Sequence, residues 1–174
     1  MDNQVFYKLV EETRLQCRFA RFAFQNIRSG ANSLDAENVF FYVDAFLSHA
    51  NNISRLLWPE RETSKARGDR LCAELNISDD SPLRLREIQE QLDHFDERVE
   101  DWLEPMENRN SMDMNLMPQG TMADYTPDKF NRSLDPNTFQ YSLRGSSCEL
   151  RRVLDEISRL ETALQMWFRT HNPW

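Results

Sequence analysis

Between Ser81 and Pro105 the chain reads SPLRLREIQEQLDHFDERVEDWLEP. Leu85, Ile88, Leu92, Phe95, Val99 and Trp102 recur there at alternating steps of three and four, the spacing that lines one face of a helix. Ser81 suits an N-cap, Pro82 suits the first helical position, where a missing N–H is harmless, and Pro105 closes the segment. The pattern predicts one helix from Pro82 to Glu104. A lone apolar seam is stable only where other seams meet it, so the rest of the chain must supply them.

It supplies three. In residues 3 to 28, Phe6, Val10, Thr13, Cys17, Ala20, Phe24 and Ile27 keep the same steps, with Ser29-Gly30 offering a left-handed cap. A second helix is predicted after Ser33 or Asp35, running to Pro59 and almost continuously apolar as far as Leu47, which makes it the central one. The last opens at Ser146-Ser147-Cys148-Glu149, read as a capping box, and carries Leu150, Val153, Ile157, Leu160, Leu164 and Trp167 before fraying near His171. Residues 61 to 75 read as a shorter polar helix, weakened by Gly68 at about 1 kcal/mol relative to alanine.

From Met106 to Arg144 the helical period is absent. Phe130, Arg132 and Leu134 alternate before Asp135-Pro136-Asn137, and Phe139, Tyr141 and Leu143 alternate after it, a hairpin whose turn is preset by proline. Met106, Met112, Met114, Met117 and Met122 suit a loop over the end of the helices or an adaptable contact surface. The fold class that follows is mainly α: an antiparallel helical bundle of four long helices plus one short helix, with a β-hairpin insertion before the last helix. Residues 1–174 form a single domain, with 106–144 as the insertion.

Composition narrows the function classes. With 40% apolar residues in 174, the chain can bury one sizeable core, and only four glycines favour long helices over many turns. A formal charge of -8 opposes a generic nucleic-acid coat, which needs surplus Lys and Arg to neutralise phosphates. No run approaches the roughly 18 to 20 apolar residues that cross a bilayer, and MDNQVFYKLVEETR mixes charges into its first turns, unlike a secretory leader. The expectation is a cytoplasmic protein with no membrane partner. Cys17, Cys72 and Cys148, few and far apart, read as reduced and buried thiols.

On the predicted helix, Glu87, Gln91, His94, Arg98 and Asp101 fall along one flank of the seam. His94 and Arg98, four apart, can meet at an anion or act as an imidazole beside a guanidinium, making them the candidate catalytic residues. The plainer reading is a wetted flank in which Asp93, Asp96, Glu97 and Asp101 neutralise nearby bases. On the second helix Asp44, Ser48, Asn51, Asn52 and Arg55 share a face. Asp44, Asn51, Asn52 and Arg55, with Asp96, are the candidate binding residues, and convergence of Asp44, Arg55, His94 and Arg98 would make one site. Arg14, Arg18, Arg21 and Arg28 form a basic stripe that can track phosphates or complement the acidic helix around Glu90 to Glu104. No metal is expected, because the residues three before His49, His94 and His171 are Phe46, Gln91 and Phe168 rather than glutamate. No cofactor is expected either, in the absence of a phosphate-cradling glycine loop.

LRLREIQEQLDHFDERVEDW, preceded by FYVDAFLSHANNISRLLWP, resembles a group of bacterial helical proteins and, through its His-Phe-Asp-Glu-Arg segment, is similar to the HEPN superfamily. That resemblance implies a helical bundle that dimerises and often serves as a metal-independent ribonuclease in toxin-antitoxin or defence systems. It sets His94 at the family's histidine. The family's arginine stands four to six residues earlier, where this chain has Ile88, Gln89 and Glu90, with Arg86 outside that window. The expectation is therefore a non-catalytic or degenerate HEPN-like binding or assembly module, a homodimer with a possible protein, RNA or nucleotide partner. The alternative is a metal-independent ribonuclease or nucleotide-handling enzyme in which Arg86, Arg98 or Arg55 serves beside His94.

Overall fold

The computed structural model describes residues 2–104, 112–118, 120–121 and 129–171. Among them lie six α-helices, α1 (Asn3–Ser33), α2 (Ala36–Leu57), α3 (Lys65–Leu75), α4 (Arg86–Asp93), α5 (Phe95–Leu103) and α6 (Leu150–Thr170). A sheet of β1 (Met112–Asn115), β2 (Phe130–Leu134), β3 (Gln140–Leu143) and β4 (Ser146–Glu149) precedes α6. The protein is mainly helical, but its helices are neither four long and one short nor accompanied by a hairpin alone. Among the described residues no helix is long and apolar enough to cross a membrane.

The chain falls into two compact units. The first takes residues 1–24, 44–85 and 152–174, and so contains most of α1, the later part of α2, all of α3 and nearly all of α6. Its core follows the predicted seams: Phe6, Val10, Cys17 and Ala20 from α1, Phe46, Leu47, Ala50, Ile53 and Leu57 from α2, and Val153, Ile157, Leu160 and Leu164 from α6 are all buried. Each large side chain fully withdrawn from water contributes about 1.5–3 kcal/mol. Ring contacts tie the helices together, Phe24 to Phe46 at 5.5 Å and Phe6 to Trp167 at 6.0 Å. Gly68 of α3 lies against the turn after α2, where an added Cβ would stand 2.5 Å from both the Leu57 carbonyl oxygen and Pro59 Cδ. Its cost in helix propensity is the condition for that approach.

The second unit takes residues 25–43 and 86–151. Within it α1 continues past the expected glycine cap. Leu34, at φ 56°, is the left-handed residue, and the Asp35 N–H donates to the Gly30 carbonyl at 3.1 Å. Gly30 instead admits Val39, whose Cγ2 would lie 2.9 Å from an added Cβ. Asp35 caps α2 through Oδ1, which accepts the Asn38 N–H at 3.2 Å.

The predicted hairpin is present as β2 and β3, antiparallel, with Leu134 opposite Tyr141 and Arg132 opposite Leu143. Asp135 Oδ1 accepts the N–H groups of Asn137 at 2.8 Å and Thr138 at 3.3 Å, fixing the turn. Two strands were not expected. Ser146–Glu149, read as a capping box, is β4, turned back on β3 by Arg144 and Gly145 at φ 47° and 89°. Two successive positive φ values in a two-residue loop make a type I′ hairpin, whose twist matches that of its strands. Met112–Asn115 runs parallel to β2, so the order is β1-β2-β3-β4. Met114 is half-buried in β1 and Met117 is exposed, whereas Met106 and Met122 lie outside the described residues.

The segment from Ser81 to Glu104 departs furthest from the single helix that its periodicity predicts. Helix begins at Arg86, not Pro82, because Ser81 Oγ accepts the Leu83 N–H at 3.3 Å in a turn and donates to Glu156 at 3.1 Å within the first unit. The helix then breaks at His94, with φ -113° and ψ 45°, and resumes as α5. Leu85 and Ile88 are buried as the seam requires, but none of the nine residues of α5 is buried, and Phe95 is 52% exposed.

Candidate functional site

The break at His94 has a cause 50 residues on. In an unbroken helix the Gln91 carbonyl would take the N–H of Phe95. Here it accepts Arg144 Nη2 at 2.9 Å, while Arg144 Nε donates to Gln91 Oε1 at 3.0 Å and Nη1 to Asn131 Oδ1 at 3.0 Å. The guanidinium also lies 5.5 Å from the Phe95 ring centre, and Gln91 Nε2 donates to Ser146 Oγ at 3.3 Å. Arg144 thus clamps α4 to the sheet with all three of its nitrogens engaged by protein, a structural role rather than one of anion capture. The left-handed backbone at Arg144 aims the side chain into this place. Sequence reasoning missed it, and the signal available was the Arg-Gly pair between two short alternating runs.

His94 itself is exposed, with Nδ1 3.6 Å from Glu97 Oε2. Arg98 is bound by Glu90 and, at 3.3 Å, by Asp101. The Arg98 N–H donates to the His94 carbonyl at 2.9 Å. Asp96 is exposed beside them. From Arg86 to Glu104 eight carboxylates, Glu87, Glu90, Asp93, Asp96, Glu97, Glu100, Asp101 and Glu104, stand against Arg86 and Arg98. A phosphodiester approaching His94 meets a strongly negative surface, and the nearest guanidinium on its helix is already neutralised.

Asp44, Asn51, Asn52 and Arg55 lie on α2 in the first unit, and His94, Asp96 and Arg98 lie in the second. The α2 residues do not share one environment. Asn51 is buried and its Oδ1 finds no donor among the described residues, whereas Asn52 and Arg55 are exposed and Asp44 is half-buried. Asn52 instead joins an unexpected group: its Nδ2 donates to Gln16 Oε1 at 3.2 Å, the same oxygen that faces His49 Nδ1 at 2.8 Å. Gln16 Nε2 donates to Glu12 at 2.6 Å, and the Phe19 ring lies 5.1 Å from the His49 ring. With Gln16 Oε1 as acceptor, the proton sits on His49 Nδ1. Burial lowers the His49 pKa, keeping the ring neutral. Gln16 is the polar residue set into the apolar face of α1, and that misfit was its only sequence signal.

Of the cysteines, Cys17 and Cys148 are buried and Cys72 is partly so. Burial raises all three thiols, Cys148 to about 12, so none is a poised nucleophile. Among the described residues no three His, Cys, Asp or Glu side chains gather as a metal site requires. Compared with protein-family models, with curated proteins and with solved structures, the chain matches none.

Proposed function

We propose that this chain is a non-catalytic, HEPN-like binding and assembly module that self-associates in the cytoplasm, in the setting of a toxin-antitoxin or defence system. The observation that carries the reading is the electrostatic state of His94 and Arg98. Cleavage of RNA without metal needs a cation free to stabilise charge developing at phosphorus. Arg98 is held by Glu90 and Asp101, and Glu97 stands beside the imidazole. The resemblance supplies the bundle and the self-association; the carboxylates support a loss of catalysis.

A second reading keeps the ribonuclease or nucleotide-handling activity, favoured by the exposure of His94 one helical turn from Arg98. Incubating the purified protein with RNA in chelator, beside His94→Ala and Arg98→Ala, separates the two. Intact RNA in every lane is the expected result. Cleavage by the parent chain that disappears in His94→Ala overturns the proposal.

A further inference from the structure

α5 is an amphipathic helix that leaves large apolar side chains at the surface. Phe95, Val99 and Trp102 recur at i, i+4 and i+7, with Leu103 beside them; Phe95 is 52% exposed, Leu103 47%, and Val99 and Trp102 are only half-buried. Asp96 and Glu100 flank this stripe in a segment with six more carboxylates than arginines, eight against two. Exposed apolar area of this kind on a helix marks a contact surface.

The first unit carries a face of the opposite character. On α1, Leu15, Phe19 and Phe22 also recur at i, i+4 and i+7, and Phe19 and Phe22 are 43% and 61% exposed. One residue round the helix run Arg14, Arg18 and Arg21, and from Thr13 to Ser33 the chain has arginines at 14, 18, 21 and 28 and no carboxylate. Arg21 reaches Glu161 at 2.8 Å and Arg14 lies over Phe168 at 4.3 Å, so these two are partly engaged, while Arg18 is exposed. Phe19 and Phe22 on α1, and Phe95 and Leu103 on α5, each keep more than two-fifths of their surface exposed. The same chain therefore presents two helical faces with matching anchor spacing and opposite charge.

We infer that the α5 face of one copy docks on the Leu15–Phe19–Phe22 face of α1 in a second copy, with the Asp96 and Glu100 side of one helix against the Arg18 side of the other. The inference rests on the reading of the chain as an assembly module and names the contact that reading requires. Used twice between two copies it closes a dimer; used once per copy it links them head to tail. The aromatic and aliphatic anchors supply the affinity, and the charges supply the pairing and its orientation.

Sedimentation of the full chain over a range of concentrations tests it. The expected result is a species of at least twice the monomer mass, weakened as salt rises from about 0.05 to about 0.5 M, where the screening length shrinks below the reach of the paired charges. Phe19→Ser and Phe95→Ser each raise the dissociation constant about tenfold or more, and Met166→Ser, an exposed apolar site on α6, does not. An Arg18→Glu chain and an Asp96→Arg/Glu100→Arg chain each associate weakly alone and recover association when mixed. Unchanged melting temperatures keep misfolding apart from lost contact. A monomer at every concentration overturns the inference, as does an assembly indifferent to both Phe19→Ser and Phe95→Ser, or an Arg18→Glu change that abolishes RNA binding by a chain that never self-associates. The RNA assay reads a different property: cleavage by a chain that still assembles through this contact sinks the non-catalytic reading alone.

Discussion

Arg144 Nη2 donates to the Gln91 carbonyl at 2.9 Å across 53 positions of sequence. Through that bond a residue in a β-turn decides where a helix stops. Removing the side chain but not the turn isolates the effect, because glycine tolerates φ 47° better than arginine does. Arg144→Gly is expected to lower stability by about 2–4 kcal/mol, the value of three lost hydrogen bonds and three neutral acceptors left short of partners. Arg144→Lys recovers only part of this, since an ammonium cannot span Gln91 and Asn131 as the planar fork does. Denaturant unfolding measures both. Equal stability of the parent and Arg144→Gly refutes the clamp.

Gly68→Ala reverses a general rule. In an exposed helix the change gains about 1 kcal/mol, but here the new methyl would stand 2.5 Å from the Leu57 carbonyl oxygen and from Pro59 Cδ. Neither atom can rotate away, so overpacking prevails and the variant is expected to be less stable by about 1–3 kcal/mol. Thermal unfolding gives the sign directly.

Glu74 accepts Trp167 Nε1–H at 2.6 Å and Arg70 Nε–H at 2.7 Å. Burial tends to raise its pKa, but the hydrogen bonds from Arg70 and Trp167 prevail and hold it below the ordinary 4.5. A depressed folded pKa gives stability that is complete above the unfolded value and is lost as pH falls through the folded one. Acid unfolding measured from pH 5 downwards should therefore show a component, starting near pH 4.5, that Glu74→Gln abolishes. An identical pH dependence in the variant would remove Glu74 from the account.

His49 works in the opposite sense. Its folded pKa is lowered from 6.5 by burial, so the unfolded chain binds the proton more readily. Stability is then complete above about pH 6.5 and falls as pH drops below it toward the folded value. The imidazole resonances should titrate below 6.5, and His49→Gln should flatten the stability profile in that interval. An imidazole titrating above 6.5 contradicts the burial argument.

Thiol chemistry offers a fifth check. Burial raises Cys17 and Cys148 above the ordinary thiol range and raises Cys72 while leaving it partly accessible. At pH 8 an alkylating reagent should modify Cys72 first and the other two only after denaturant is added. Rapid labelling of Cys17 in the native chain would show that its seam opens.

Local patterns recovered what local chemistry fixes. The Leu134–Tyr141 and Arg132–Leu143 pairs of β2 and β3 follow from alternation on either side of Asp135-Pro136-Asn137, and the cores of α1, α2 and α6 follow from their seams. Four residues such as Ser146-Ser147-Cys148-Glu149 satisfy both a capping box and a short strand, and only the Arg144-Gly145 turn before them decides. The interruption at His94 left no trace in the periodicity because its cause is Arg144. The Gln16–His49–Asn52 group was equally hidden: each residue looks ordinary in its own helix, and only the packing of α1 against α2 unites them.

The direction of β1 carries a kinetic consequence. β2, β3 and β4 are joined by tight reversals and can zip together from neighbouring residues, whereas β1 runs parallel to β2, a pairing that no tight reversal can close and that is therefore less local. Its amides should accordingly be the last in the sheet to gain protection during refolding and the first to exchange with deuterium in the native state.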